Sequence, residues 1–147
     1  MEGRCLCEAV AFELGGPATP IELCHCVRCR RAYGSAFAAT FYVKAANFRW
    51  LRGQKMIAIF DAPLRDKAPP YRHSFCRVCG SPLPIEQPPL VEIPASLVDG
   101  DVGSRPAYHK WVRQKAPWWN VDPALPRYEE ASPSEERVCM FEMLERD

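Results

Sequence analysis

Apolar and polar residues alternate in short runs along this chain, and the runs predict strands. "EAVAFEL" (Glu8–Leu14) interleaves apolar and acidic positions in part, as a half-buried strand does. "IELCHC" (Ile21–Cys26), "KMIAIFD" (Lys55–Asp61), "YRHSFC" (Tyr71–Cys76) and "LVEIPASL" (Leu90–Leu97) are further strand candidates. "AFAATFYVKAANFRWL" (Ala36–Leu51) is rich in aromatic and β-branched residues, with "KAAN" as its interruption. "GGPATP" (Gly15–Pro20) and "APLRDKAPP" (Ala62–Pro70) read as loops, and "PLPIEQPP" (Pro82–Pro89) carries too much proline for a central strand. The prediction is a mainly β domain over residues 1–131.

The 15 prolines and 8 glycines are spread over the whole length, so no long helix is expected before the C-terminus. The tail, 132–147, is different. Ser132 is an N-cap candidate, Pro133 suits the first helical position, and Glu135 completes a capping box. Val138, Phe141, Met143 and Leu144 would form the apolar face of a short helix, packed on its own domain or offered to a partner.

Composition changes this picture little. Of 147 residues, 48% are hydrophobic and 25% charged, and the formal net charge is +1. No global field would draw the chain to nucleic acid or to an anionic membrane. Glu2, Arg4, Glu8 and Glu13 break up any secretory leader, and no run approaches the roughly 20 apolar residues of a membrane span. A soluble, cytoplasmic protein is expected.

The 8 cysteines change it greatly. Cys5/Cys7, Cys24/Cys26/Cys29 and Cys76/Cys79 fall in tight groups that suit metal coordination better than disulfides between distant loops. Residues i and i+2 of a strand share a face, so Cys5/Cys7 and Cys24/Cys26 are each expected to aim two sulfurs at one point. A C-x-x-C knuckle achieves the same through a turn, and Gly80 supplies its backbone freedom. Thiolates favour zinc. The clustered cysteines divide into a closed set of four and an open set of three, the open set having the coordination number of a catalytic zinc site. Two partitions fit: Cys5, Cys7, Cys76 and Cys79 together, or Cys26/Cys29 joined to Cys76/Cys79 in ribbon style. The second needs a spacing far beyond the usual ~15–20 residues.

"GRCLCEAVAFEL", "CHCVRCRRAYGSAF", "FCRVCGSPL" and "HKWVRQKAPWWNVDPALPRYEE" together resemble the glutathione-dependent formaldehyde-activating enzymes, the family that also includes centromere protein V. The resemblance implies a zinc-binding β-tent of short antiparallel sheets. It also implies the first partition: one zinc at Cys5, Cys7, Cys76 and Cys79, and a second, looser one at Cys24, Cys26 and Cys29. The activity implied is carbon–sulfur lyase chemistry, with glutathione adding to formaldehyde. Two features depart from the family: Glu8 stands where a glycine is usual, and the stretch before the second knuckle lacks the usual serines and glycines.

A zinc ion with three thiolates has a net charge of about −1 and is a weak Lewis acid, better suited to holding an incoming thiol than to making hydroxide. The expected catalytic set is Cys24, Cys26 and Cys29. Arg30 and Arg31, with Arg28, are candidates to meet glutathione carboxylates, and Tyr33 and Ser35 to donate to a substrate oxygen. His25 is expected on the opposite face from its cysteine neighbours. His73 and His109 are candidate proton shuttles, and Trp118/Trp119 candidate pocket wall. Cys139 or a histidine closing the open set would leave a zinc-stabilised binding module without catalysis.

Overall fold

A computed structural model describes residues 1–62, 71–132 and residue 144. The described chain is mainly β, as the patterning predicts. In chain order the strands are β1 (Glu2–Arg4), β2 (Ala11–Leu14), β3 (Ile21–Cys24), β4 (Ala38–Lys44), β5 (Phe48–Arg52) and β6 (Ile57–Ala62). Then come β7 (Tyr71–Cys76), β8 (Ile85–Gln87), β9 (Leu90–Pro94) and β10 (Pro106–Lys110). They form three sheets, ordered β10-β3-β4-β9-β8, β1-β2-β5 and β6-β7.

The largest sheet positions the site. Its alternation puts Leu23, Phe41, Val43, Val91 and Ile93 on one face, where they pack with Phe12 and Leu14 of the smaller sheet as the apolar core. Its other face is polar: Glu22, Thr40, Tyr42 and Glu92 alternate with those core residues along β3, β4 and β9. Burial of this second face makes polar residues part of the interior.

Three expectations are corrected. The sheets are not all antiparallel: β10 runs parallel to β3, pairing His109 with Leu23 and Lys110 with Cys24. The strand expected over Glu8–Leu14 begins only at Ala11, because Cys5–Val10 close a turn with Cys5 N–H donating to the Val10 carbonyl at 3.1 Å. The strand expected over Ile21–Cys26 stops at Cys24, and a helix, α1 (Val27–Tyr33), follows. The proline-rich segment supplies no central strand, as expected: its β8 lies at the sheet edge, where a missing N–H costs least. The "KAAN" interruption is a short 3-10 turn at Ala45–Asn47 between β4 and β5.

The expected tail helix lies outside the described residues, except that Ser132 is buried beside Tyr108 and Leu144 is helical and buried. Most of the Ala62–Pro70 loop and Cys139 also lie outside them. No helix among the described residues is long and apolar enough to cross a membrane.

Candidate metal centre

Cys5 and Cys7 sit on the turn between β1 and β2, not on a strand as expected. Glu8 adopts a left-handed conformation, φ 60°, so this chain keeps the turn without the usual glycine. Its N–H donates to the Cys5 carbonyl at 2.9 Å, and the Val10 N–H points at the Cys5 sulfur at 3.4 Å. The second knuckle begins where β7 ends. Cys76 is its last residue, Gly80 turns the chain at φ 76°, and the Gly80 N–H donates back to the Cys76 carbonyl at 2.8 Å. The Leu6 N–H donates to the Ser81 hydroxyl at 3.0 Å, joining the two turns.

The four sulfurs of Cys5, Cys7, Cys76 and Cys79 lie within 4.8 Å of one another, with Cys5–Cys7 at 3.6 Å and Cys7–Cys76 at 3.8 Å. A tetrahedron of sulfurs about 2.3 Å from zinc has edges of about 3.8 Å, so the quartet fits that ion; a disulfide would need about 2.05 Å. The Ser81 hydroxyl, 3.2 Å from the Cys79 sulfur, leads the interactions that hold this thiol down to about 6. Cys5 and Cys76 are fully buried against Val10 and Leu83.

The sulfurs of Cys24, Cys26 and Cys29 also fall within 4.8 Å of one another, by a route the sequence pattern did not suggest. Cys24 ends β3, while Cys26 is the N-cap of α1 and accepts the Cys29 N–H on its sulfur at 3.3 Å. The C-x-x-C spacing here is a helix cap and its third residue. Hydrogen bonds from Cys24 and Cys29 lower the Cys26 thiol far below its ordinary value. The same contacts act in reverse on their donors. Cys24 is raised to about 12, first by its bond to Cys26, and Cys29 is raised strongly by its bonds to Cys24 and Cys26. Among the three, Cys26 is the thiol that these contacts favour as thiolate, and a dication would favour ionisation of all three. Among the described residues, no fourth His, Asp, Glu or Cys joins it.

Around the trio stand two phenols. Tyr33, from the last turn of α1, has its hydroxyl raised by burial first and then by Glu92, Cys29 and Cys24. Tyr71, from β7, is raised by burial, by the charge of Cys29 and by a hydrogen bond to its sulfur. Arg28 lies over the Tyr71 ring, 5.3 Å from its centroid. Sequence reading missed Tyr71; nothing local links it to a cysteine so far back in the chain.

The other candidates separate. Arg31 and Ser35 are exposed, and Arg30 is half-buried on α1. His25 is fully buried, with its Nε2 2.8 Å from Nδ1 of His109, and joins neither metal group. Burial, with His109 nearby, lowers His25 to about 4, and burial also lowers His109, so the pair is neutral and ties β3 to β10. His73 stacks on Phe75 with centroids 5.3 Å apart. Trp119 packs edge-on against Phe37, which adjoins His25, whereas Trp118 is 70% exposed.

A family model described as glutathione-dependent formaldehyde-activating enzyme matches residues 1–114. No curated protein matches the chain. Among solved structures, a crystal structure of a Rhodobacter sphaeroides protein superposes with a TM-score of 0.51 at 24% identity, covering 72% of this chain and 98% of that one. That likeness concerns the fold.

Proposed function

The chain belongs to the glutathione-dependent formaldehyde-activating enzyme family, and from that premise we propose that it binds a small thiol at the cysteine trio and forms or cleaves its adduct with an aldehyde. Glutathione and formaldehyde are the proposed pair. In the forward direction the thiol sulfur bonds to the aldehyde carbon, the carbonyl π bond opens, and the thiol proton ends on the new hydroxyl.

The observation that carries this reading is the trio itself: three converging sulfurs, with no fourth described donor. Cys24, Cys26 and Cys29 would hold a zinc ion, and the quartet Cys5, Cys7, Cys76 and Cys79 a second, structural one. Bound at the trio, zinc would supply a position at which an incoming thiol stays deprotonated near neutral pH. Tyr33 and Tyr71, each electrostatically coupled to Cys29, are proposed to donate to the aldehyde oxygen as charge develops there. Arg28 and Arg30, on the same helix, are the proposed contacts for substrate carboxylates, with exposed Arg31 and Ser35 further out.

The test is magnetisation exchange by NMR between formaldehyde hydrate and S-hydroxymethylglutathione, with zinc-loaded protein. Exchange faster than the buffer rate, and lost on replacing Cys26 by serine, is expected. Exchange at the buffer rate with both sites loaded would leave a zinc-stabilised binding module.

A further inference from the structure

Lys110 and Glu22 form an ion pair in the interior of the protein, both less than 10% exposed. Removing two charges from water costs several kcal/mol per ion, and such a pair stabilises a fold little better than apolar residues of the same volume. Its position points to a different use. Cys24 and Glu22 are two residues apart on β3 and so share a face, the polar face of the large sheet. Lys110 lies directly beside Cys24 in the parallel register of β10 and reaches Glu22 on that same face.

The two charges are not equivalent toward the trio. The Glu22 carboxylate is also satisfied by the Tyr108 hydroxyl, which donates at 2.7 Å, and by that of Tyr42 at 3.5 Å. Those donors disperse its charge away from Cys24. Lys110 is the β10 neighbour of Cys24, so its side chain rises beside that of Cys24 on the same buried face before its ammonium meets Glu22. Among the described residues, a further carboxyl near the pair is that of Glu92, which burial and Glu22 bias toward its neutral form.

We infer that Lys110, held in place by Glu22, is the counter-charge that lets the three-cysteine centre accept an anionic fourth ligand. Three thiolates on a dication carry one net negative charge, and an incoming thiolate makes two. A fixed cation beside Cys24 offsets that addition in a poorly solvated setting and has no comparable effect on a neutral ligand. The inference rests on the proposed thiol-binding trio and specifies what makes its open position selective for thiolates.

The experiment uses protein loaded with cobalt(II) at both centres. Binding of 2-mercaptoethanol and of imidazole is followed through the visible bands of the metal at one pH. Neither probe carries a carboxylate that the helix arginines would meet. The double variant Glu22→Gln/Lys110→Met removes both charges and leaves no orphaned carboxylate. It is expected to weaken 2-mercaptoethanol about tenfold and leave imidazole within about twofold. Lys110→Arg keeps the charge and is expected to bind 2-mercaptoethanol within about threefold of the parent. Thiol binding at the parental level in the double variant overturns the inference, and so does an equal loss of thiol and imidazole. A folded Lys110→Arg protein that loses thiol tenfold also overturns it. If the parent binds imidazole and no thiol, the proposed function fails too; if only the variants behave as the parent does, the function stands and the role of Lys110 falls.

Discussion

Tyr71 and Cys76 stand at opposite ends of one strand, β7, and each belongs to a different cysteine cluster. Cys76 is a member of the buried quartet, while the Tyr71 hydroxyl bonds the sulfur of Cys29 in the trio. The alternation of β7 carries Tyr71, His73 and Phe75 along one face, and Tyr33 and Arg28 of α1 meet that face through ring contacts. The strand thus spans both clusters, fixing one wall of the trio's surroundings relative to the quartet.

Replacing Tyr71 by phenylalanine removes the hydroxyl and keeps the ring under Arg28. A hydrogen bond to a thiolate sulfur is a charge-assisted one, so turnover of the thiol–aldehyde adduct is expected to fall about tenfold. Metal content at the quartet should not change. Steady-state exchange rates together with a metal assay check both halves, and undiminished turnover would remove Tyr71 from the site.

The two clusters should also differ in how they release metal. The quartet is complete and packed against Val10 and Leu83, and a closed thiolate site of this kind contributes on the order of 10 kcal/mol to folding. The trio has no fourth donor among the described residues. Chelator titration of zinc-loaded protein is expected to proceed in two phases, the first removing one ion per chain without loss of β-sheet circular dichroism. Cys26→Ser should abolish the first phase and leave a folded protein. Cys76→Ser should abolish cooperative unfolding. Simultaneous release of both ions with loss of structure would mean that both centres are structural.

The tight cysteine groups were readable in the sequence because each arises within a few residues, and the short strands because period-2 patterning is local; that Cys5/Cys7 join Cys76/Cys79 came from the family resemblance, since those pairs are far apart in the chain. The local geometry at the cysteines was less readable. Cys24 and Cys26 suggested a strand pair, yet Cys26 caps a helix, since a cysteine sulfur can accept an N–H where serine or aspartate is the familiar signal. Glu22 in "IELC" is buried, held by Tyr108 and Lys110 of β10, which a local strand pattern does not show. β10 pairs in parallel with β3 from far along the chain, and no local pattern announces such a pairing. Lys110 and Tyr71 were invisible for the same reason: their partners are distant in sequence. Glu8 marks the opposite case. The departure from glycine was plain, but the structure keeps the turn and strains the residue instead.

The buried carboxyl of Glu92 gives a pH dependence with a definite sign. Its folded-state value is raised above the ordinary 4.5, by burial first and then by Glu22, against the weaker pull of Lys110, Thr40 and Tyr42. The folded protein therefore binds this proton more tightly than the unfolded chain does. The group favours folding fully below about 4.5, and its contribution is lost as pH rises through the folded value. Glu92→Gln removes the titration. Relative to the parent, the variant is expected to gain denaturant midpoint progressively from pH 5 to pH 8. Parallel midpoint curves for the two proteins would show that Glu92 does not titrate differently on folding.

Glu8 sits at φ 60° on the turn that carries Cys5 and Cys7, where an L side chain crowds its own backbone by about 1–2 kcal/mol. Its backbone contacts do not need the side chain: the N–H donates to the Cys5 carbonyl, and the carbonyl accepts Arg52 Nε at 3.1 Å. Glycine keeps both bonds and adopts this conformation freely, at the cost of more backbone entropy in the unfolded chain. The strain relieved exceeds that entropy by a modest margin. Glu8→Gly is therefore expected to stabilise the zinc-loaded protein by about 1 kcal/mol, and to slow metal release from the quartet without changing release from the trio. Denaturant unfolding and chelator kinetics measure the two effects separately. A destabilised variant would mean that the Glu8 side chain makes a compensating interaction at the quartet, and that the substitution for glycine in this chain is functional.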